Sequence, residues 1–120
     1  MIRIFCGGIA AVFAAIGVGA MVAPKTSSGQ YGLPSDDPAA LAFVRGMGAR
    51  DLVIAGLIFS SLGDPAALRR VLGWASLVGL ADGCIVSAVR GPRRGDAVHV
   101  GGFAGLIVAA LLVRVPPPDR

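Results

Sequence analysis

Three charged residues, Arg50, Asp51 and Asp82, lie inside stretches of sequence that are otherwise apolar enough to cross a bilayer. A charge in hydrocarbon is costly, so such residues face one another or a polar cavity and by default mark function. Composition sets the same class: 55% of the residues are apolar and 15% charged, with a mean hydropathy of +0.77. Soluble domains carry roughly 25% charged residues. A soluble bundle of 120 residues cannot hide that much apolar surface, and one domain is all that this length allows.

Four apolar segments can be read off, at about residues 4–22, 38–62, 65–90 and 97–115, each near the roughly 20 residues that cross a hydrocarbon core. The first stops at Ala23-Pro24-Lys25. The second follows the cap signal Ser35-Asp36-Asp37, with Pro38 at the first helical position. Gly63-Asp64-Pro65 is the next turn, residues 91–96 break the third segment from the fourth, and Pro116-Pro117-Pro118 ends the last. The pattern predicts an all-α, up-down-up-down bundle of four transmembrane helices, one domain over 1–120, with both termini on one side. A signal peptide competes for the first segment, because Arg3 precedes the apolar run and Val18-Gly19-Ala20 resembles a cleavage site. The expectation is that the segment stays. The terminal face then carries Arg3, Arg69, Arg70, Arg114 and Arg120 against Lys25, Arg90, Arg93 and Arg94, a slight bias toward cytoplasmic termini.

A net charge of +4 and a pI near 10.0 raise the question of nucleic acid. The arginines gather at helix ends rather than along one face with aromatics between them, so the lipid bilayer, through its anionic headgroups, is the expected partner and nucleic acid is not. Helices this rich in glycine pack by close backbone approach. Gly79-x-x-x-Gly83, Gly101-x-x-x-Gly105 and the faces at Gly46, Gly48 and Gly56 have that spacing. Packing within one bundle is the plain reading, and a homodimer through such a face is the other.

Depth decides which charges meet. At about 1.5 Å per residue, Arg50 and Asp51 lie roughly 18 and 20 Å below the loop face where the second helix begins, and Asp82 roughly 12 Å below it. Side chains lean toward their own helix N-terminus, so Arg50 and Asp82, on antiparallel helices, converge. Arg45, shallower, can snorkel to the headgroups. His99 stands at the mouth, and Tyr31, in the loop before the second segment, could act as a lid, an ordinary interfacial tyrosine being the plainer reading. The plain alternative is a buried ion pair that fixes helix register and binds nothing. Arg45, Arg50, Asp51, Asp82 and His99 are more polar groups than one pair needs, which favours a pocket.

No HxxxH or ExxH spacing supports a metal, and with one histidine a haem is less expected still, so neither metal nor other cofactor is assigned. Cys6 and Cys84 fall at opposite faces, too far apart to bridge, and are expected as buried packing residues. Ser60, Ser61, Ser76 and Ser87 are expected to bond the preceding turn's carbonyls. Trp74 fits an interfacial or a core aromatic.

Pro24, Tyr31-Gly32-Leu33-Pro34, Arg45-Gly46-Met47-Gly48-Ala49-Arg50-Asp51, Gly79-Leu80-Ala81-Asp82 and His99 together resemble a family of small four-helix integral membrane proteins from bacteria and fungi. That family is catalogued as a domain of unknown function and is similar in size and layout to the DoxX-like membrane proteins. The resemblance covers nearly the whole chain, implies a four-helix membrane fold and points to Arg50, Asp51, Asp82 and His99 as the shared polar set; the expected location is the cytoplasmic membrane of a bacterium. It brings no activity with it. The residues themselves suggest a pocket for a small lipophilic molecule with a polar or anionic head, bound by Arg50, Asp51, Asp82, His99, Arg45 and Tyr31 with Arg50 as anchor. A membrane-embedded isomerase or cyclase would use Asp51, Asp82 or His99 for proton transfer. The third reading is an accessory subunit whose charges only hold the helices together.

Overall fold

The computed structural model describes residues 1–91 and 97–117; the break around Arg93 and Arg94 and the tail at Pro118 and Arg120 lie outside the described residues. Among the described residues the chain is all-α, with five helices and no strand: α1 (Ile2–Val22), α2 (Pro24–Tyr31), α3 (Pro38–Ser61), α4 (Pro65–Arg90) and α5 (Ala97–Leu112). α3 and α4 start by the same device. Asp37 accepts from the Ala40 N–H at 2.8 Å and Asp64 from those of Ala66 and Ala67 at 2.9 and 3.0 Å, each followed by a proline whose missing N–H costs nothing at that position. α1 and α4 are long and apolar enough to cross a membrane. In α3 the charges of Arg45, Arg50 and Asp51 interrupt the apolar run.

Two boundaries differ from the sequence reading. Pro24 opens a helix rather than a loop, so Tyr31 lies at the end of α2 and the chain has a fifth, polar helix. Proline at a first helical position is as much a start as a stop. α2 ends on Gly32, whose φ of 103° suits glycine; the Gly32 N–H donates to the Gly29 carbonyl and the Leu33 N–H to that of Ser28, a Schellman closure. The buried Ser28 hydroxyl donates to the Lys25 carbonyl at 2.8 Å and accepts from the Ser35 N–H at 3.3 Å, pinning the link to α3. At the other end, α5 stops at Leu112 instead of continuing to 115. Val115 precedes a proline, which disfavours helical backbone there.

The tightest helix contact pairs Gly48, one of the glycines named above, with Gly17, which the spacing rule did not single out. Where α1 crosses α3, a Cβ on Gly17 would sit 2.8 Å from the Gly48 carbonyl oxygen, and one on Gly48 would sit 2.7 Å from that of Gly17. The backbones therefore touch, two residues before Arg50. A Cβ on Gly7 would meet Leu62 at the opposite end of the pair, so α1 and α3 run antiparallel. α4 and α5 close similarly, Gly79 on the backbone of Phe103 and Gly83 on His99. Gly46, Gly56, Gly101 and Gly105 make no such approach and face open space.

The core occupies the end where α1 begins and α5 finishes: Cys6, Ile58, Leu68, Leu72, Ala109 and Val113 share one buried cluster. Leu57 points away from it, Cys84 is exposed rather than buried, and Trp74, 72% exposed, is an outward aromatic and not a core one. Ile4, Val12, Phe43, Val53, Ile85 and Leu111 are among many large apolar side chains turned outward from α1, α3, α4 and α5. Ser60 and Ser76 donate to the carbonyls of Leu57 and Gly73, one turn back.

Candidate functional site

Arg50 joins two carboxylates on two helices. Its Nη1 and Nη2 donate to Asp82 Oδ1 and Oδ2 at 3.0 and 2.9 Å, a two-pronged bridge from α3 to α4. Its Nε and the same Nη2 donate to Asp51 Oδ1 at 3.1 and 3.0 Å. The planar guanidinium matches carboxylate geometry in this way, and such paired charge-assisted bonds are the strong ones. The convergence expected from depth is thus present, and Asp51 joins it.

The arrangement changes what Arg50 can do. Four of the five guanidinium N–H groups are directed at Asp51 and Asp82, which leaves little to offer an anionic ligand. Asp51 and Asp82 are 7% and 9% exposed. No hydrogen bond reaches Asp51 Oδ2 among the described residues, although the side chain is nearly enclosed. One guanidinium against two carboxylates leaves an excess negative charge when all three are ionised.

These groups form part of the wall of a cavity of about 520 Å³ to which all five helices contribute. Phe13, Ile16 and Gly19 come from α1, Ser27, Gln30 and Tyr31 from α2, Met47, Arg50 and Asp51 from α3, Gly79 and Asp82 from α4, and His99, Gly102 and Leu106 from α5. Tyr31 and His99 stand together: their rings meet edge-on at 5.1 Å, and His99 Nε2 lies 3.1 Å from the Tyr31 carbonyl oxygen. That oxygen only accepts, so Nε2 is the donor in this contact. Burial, helped by the negative charge of Asp82, pushes the Tyr31 hydroxyl up to about 12.

Of the six residues expected at the site, Tyr31, Arg50, Asp51, Asp82 and His99 line this cavity and Arg45 does not. Arg45 is exposed, with Nε 3.4 Å from the Met21 carbonyl, because its position on α3 faces the end of α1 from outside. Ser27 and Gln30 were not anticipated. Their signal lay in Pro24 at a helix start, which would have put residues 27, 30 and 31 on one face of a helix. Among the described residues no three His, Cys, Asp or Glu side chains are grouped as metal ligands.

Over residues 10–114 the sequence matches the family described as Domain of unknown function (DUF4267). The chain belongs to that family. No curated protein and no solved structure matches it, and the likeness to the DoxX-like proteins finds no support in these matches. The DUF4267 match spans every residue of the cavity wall named above. Since the family description carries no activity, the chemistry of this DUF4267 member rests on the cavity itself.

Proposed function

We propose that this chain is an integral membrane protein in which α1, α3, α4 and α5 cross the bilayer up-down-up-down, and that its polar cavity binds a small lipophilic molecule by a polar head. The outward apolar side chains on all four helices favour a lipid surround, since soluble monomers rarely expose contiguous apolar patches above a few hundred Å². Arg50 of α3 turns inward to Asp82, as intramembrane charges do, and Asp51 pairs with it. α5, about 24 Å long over its 16 described residues, is short for a roughly 30 Å core, a mismatch that local thinning of the bilayer accommodates.

One observation carries the binding reading: about 520 Å³ of space, mostly apolar, has at its wall an Arg50 with four of its five N–H groups engaged and an Asp51 oxygen that accepts no hydrogen bond among the described residues. Ligand sites have that make-up, an apolar lining with a few convergent polar groups. The same Asp51 oxygen favours the isomerase or cyclase reading as the second choice, since it is an acceptor placed to take a proton. Native mass spectrometry of the detergent-solubilised protein tests the proposal. A small-molecule adduct, reduced in Asp51→Asn, is the expected result; a bound protein and no small molecule would replace it with the accessory-subunit reading.

A further inference from the structure

The cavity has a neighbour. A second hollow of about 510 Å³ lies between α1 and α5, lined by Phe5, Gly8, Val12, Gly101 and Gly105 with almost no polar surface. Phe13, Gly102 and Leu106 border both spaces, so the two adjoin across the α1–α5 seam. Glycines keep that seam low: a Cβ on Gly8, Gly101, Gly102 or Gly105 would meet nothing within 4 Å. On one side of these shared residues is a charged head site and on the other an apolar trough facing outward.

The head site selects by sign. Arg50 spends its donors on Asp51 and Asp82, and the cluster keeps one negative charge in excess when all three groups are ionised. Asp51, 7% exposed, is part of the cavity wall, and its Oδ2 accepts no hydrogen bond among the described residues. Open to the cavity and without a donor from the protein, that oxygen is where a cationic or N–H-bearing head would supply both the hydrogen bond and the countercharge. An anionic head would add a third negative charge beside two.

We propose, building on the binding reading above, that the site takes a single-chain amphiphile with a primary ammonium head, the head on Asp51 and the alkyl chain lying in the α1–α5 trough. The head enters sideways from the bilayer, past Phe13 and Leu106, so the molecule need never pass through water. A primary alkylamine is charged at neutral pH, as a lysine side chain is.

The test uses the full chain in phosphatidylcholine nanodiscs and three photoreactive twelve-carbon probes with a diazirine in the chain, differing only in an amine, alcohol or carboxylate head. Labelled residues are mapped by mass spectrometry. The amine probe is expected to label residues of the trough at least ten-fold more than the carboxylate probe. Asp51→Asn, which keeps the Arg50–Asp82 bridge, should drop the amine probe to the level of the alcohol. Gly105→Leu, which fills the trough where nothing packs, should cut labelling by all three. Carboxylate labelling equal to or above that of the amine would overturn the sign while leaving a lipophilic site standing. Trough labelling indifferent to head and to Asp51→Asn would mean a lipid-facing surface and overturn the head-site assignment. A dimer abolished by Gly105→Leu with amine labelling unchanged would give the trough to a second copy. No labelling by any probe in either space would remove the binding reading itself.

Discussion

The two ends of this molecule are built from the same long helices and differ in what fills them. At the end where α1 begins and α5 finishes, Cys6, Ile58, Leu68, Leu72 and Val113 close into a solid apolar cluster. At the other end the same four helices, joined by α2, surround a cavity with Arg50, Asp51 and Asp82 in its wall. With the lipid surround proposed above, apolar side chains gain little by choosing another helix over acyl chains, so packing and polar contacts decide the association. One end is held by fit and the other by charge. The hollow end persists because a two-pronged bridge spans it, which a void lined only by aliphatic side chains does not supply.

Removing the bridge should separate the ends most sharply. Arg50→Leu strands two carboxylates, and losing a partner from a buried ion pair costs about 3 to 5 kcal/mol. Thermal unfolding in detergent should show a loss of that order for Arg50→Leu, less for Asp82→Leu, where Asp51 still holds the guanidinium, and recovery of much of it when Arg50, Asp51 and Asp82 are all replaced by leucine. A neutral Arg50→Leu would mean that the charged end is not held by its charges.

The next contrast compares apolar truncations. Leu72→Ala in the solid end opens a new void and should cost about 2 to 5 kcal/mol, whereas Met47→Ala only enlarges a space already there and should cost about 1 kcal/mol or less. Equal losses in the same unfolding assay would show that the cavity end is packed as tightly as the core.

Between the ends, the α1–α3 crossing sets the level of the cluster. Gly48→Ala drives a methyl into the Gly17 carbonyl at 2.7 Å and should cost about 1 to 3 kcal/mol. Gly46→Ala, two residues away in open space, should be neutral or slightly stabilising, since alanine favours helix over glycine. Identical behaviour of the two variants would place the crossing elsewhere.

Much of this was written locally. Asp37-Pro38 and Asp64-Pro65 announce two helix starts by capping chemistry alone, and the converging depths of Arg50 and Asp82 follow from helix rise and antiparallel direction. The Gly17–Gly48 contact was not legible, because which of 18 glycines meet depends on helix rotation, which spacing does not encode. α2 escaped for a different reason: Lys25-Thr26-Ser27-Ser28-Gly29 has neither apolar period nor strong helix formers, and its helix is held by Pro24, Ser28 and Gly32. The saturation of Arg50 needed coordinates too. Adjacent residues on a helix point 100° apart, and only the reach of the guanidinium lets one group serve both its neighbour Asp51 and Asp82.

The smallest expected effect reads the boundary between the cavity and water. Tyr31 is the chain's single tyrosine, so its phenolate absorbance can be followed without interference from another. Burial first, and then the negative charge of Asp82, push its hydroxyl up to about 12 from an ordinary value near 10, with Arg50 pulling weakly the other way. A raised folded value means that the folded protein holds this proton more tightly than the unfolded chain. The stability tied to it is therefore complete below about pH 10 and is lost as the pH climbs toward about 12. The titration midpoint of the folded protein should lie near 12, and Asp82→Asn should lower it only part of the way, because burial is the larger cause. A midpoint near 10 in the unaltered protein would put the ring in water, with the edge-on contact to His99 open and the mouth of the cavity uncovered.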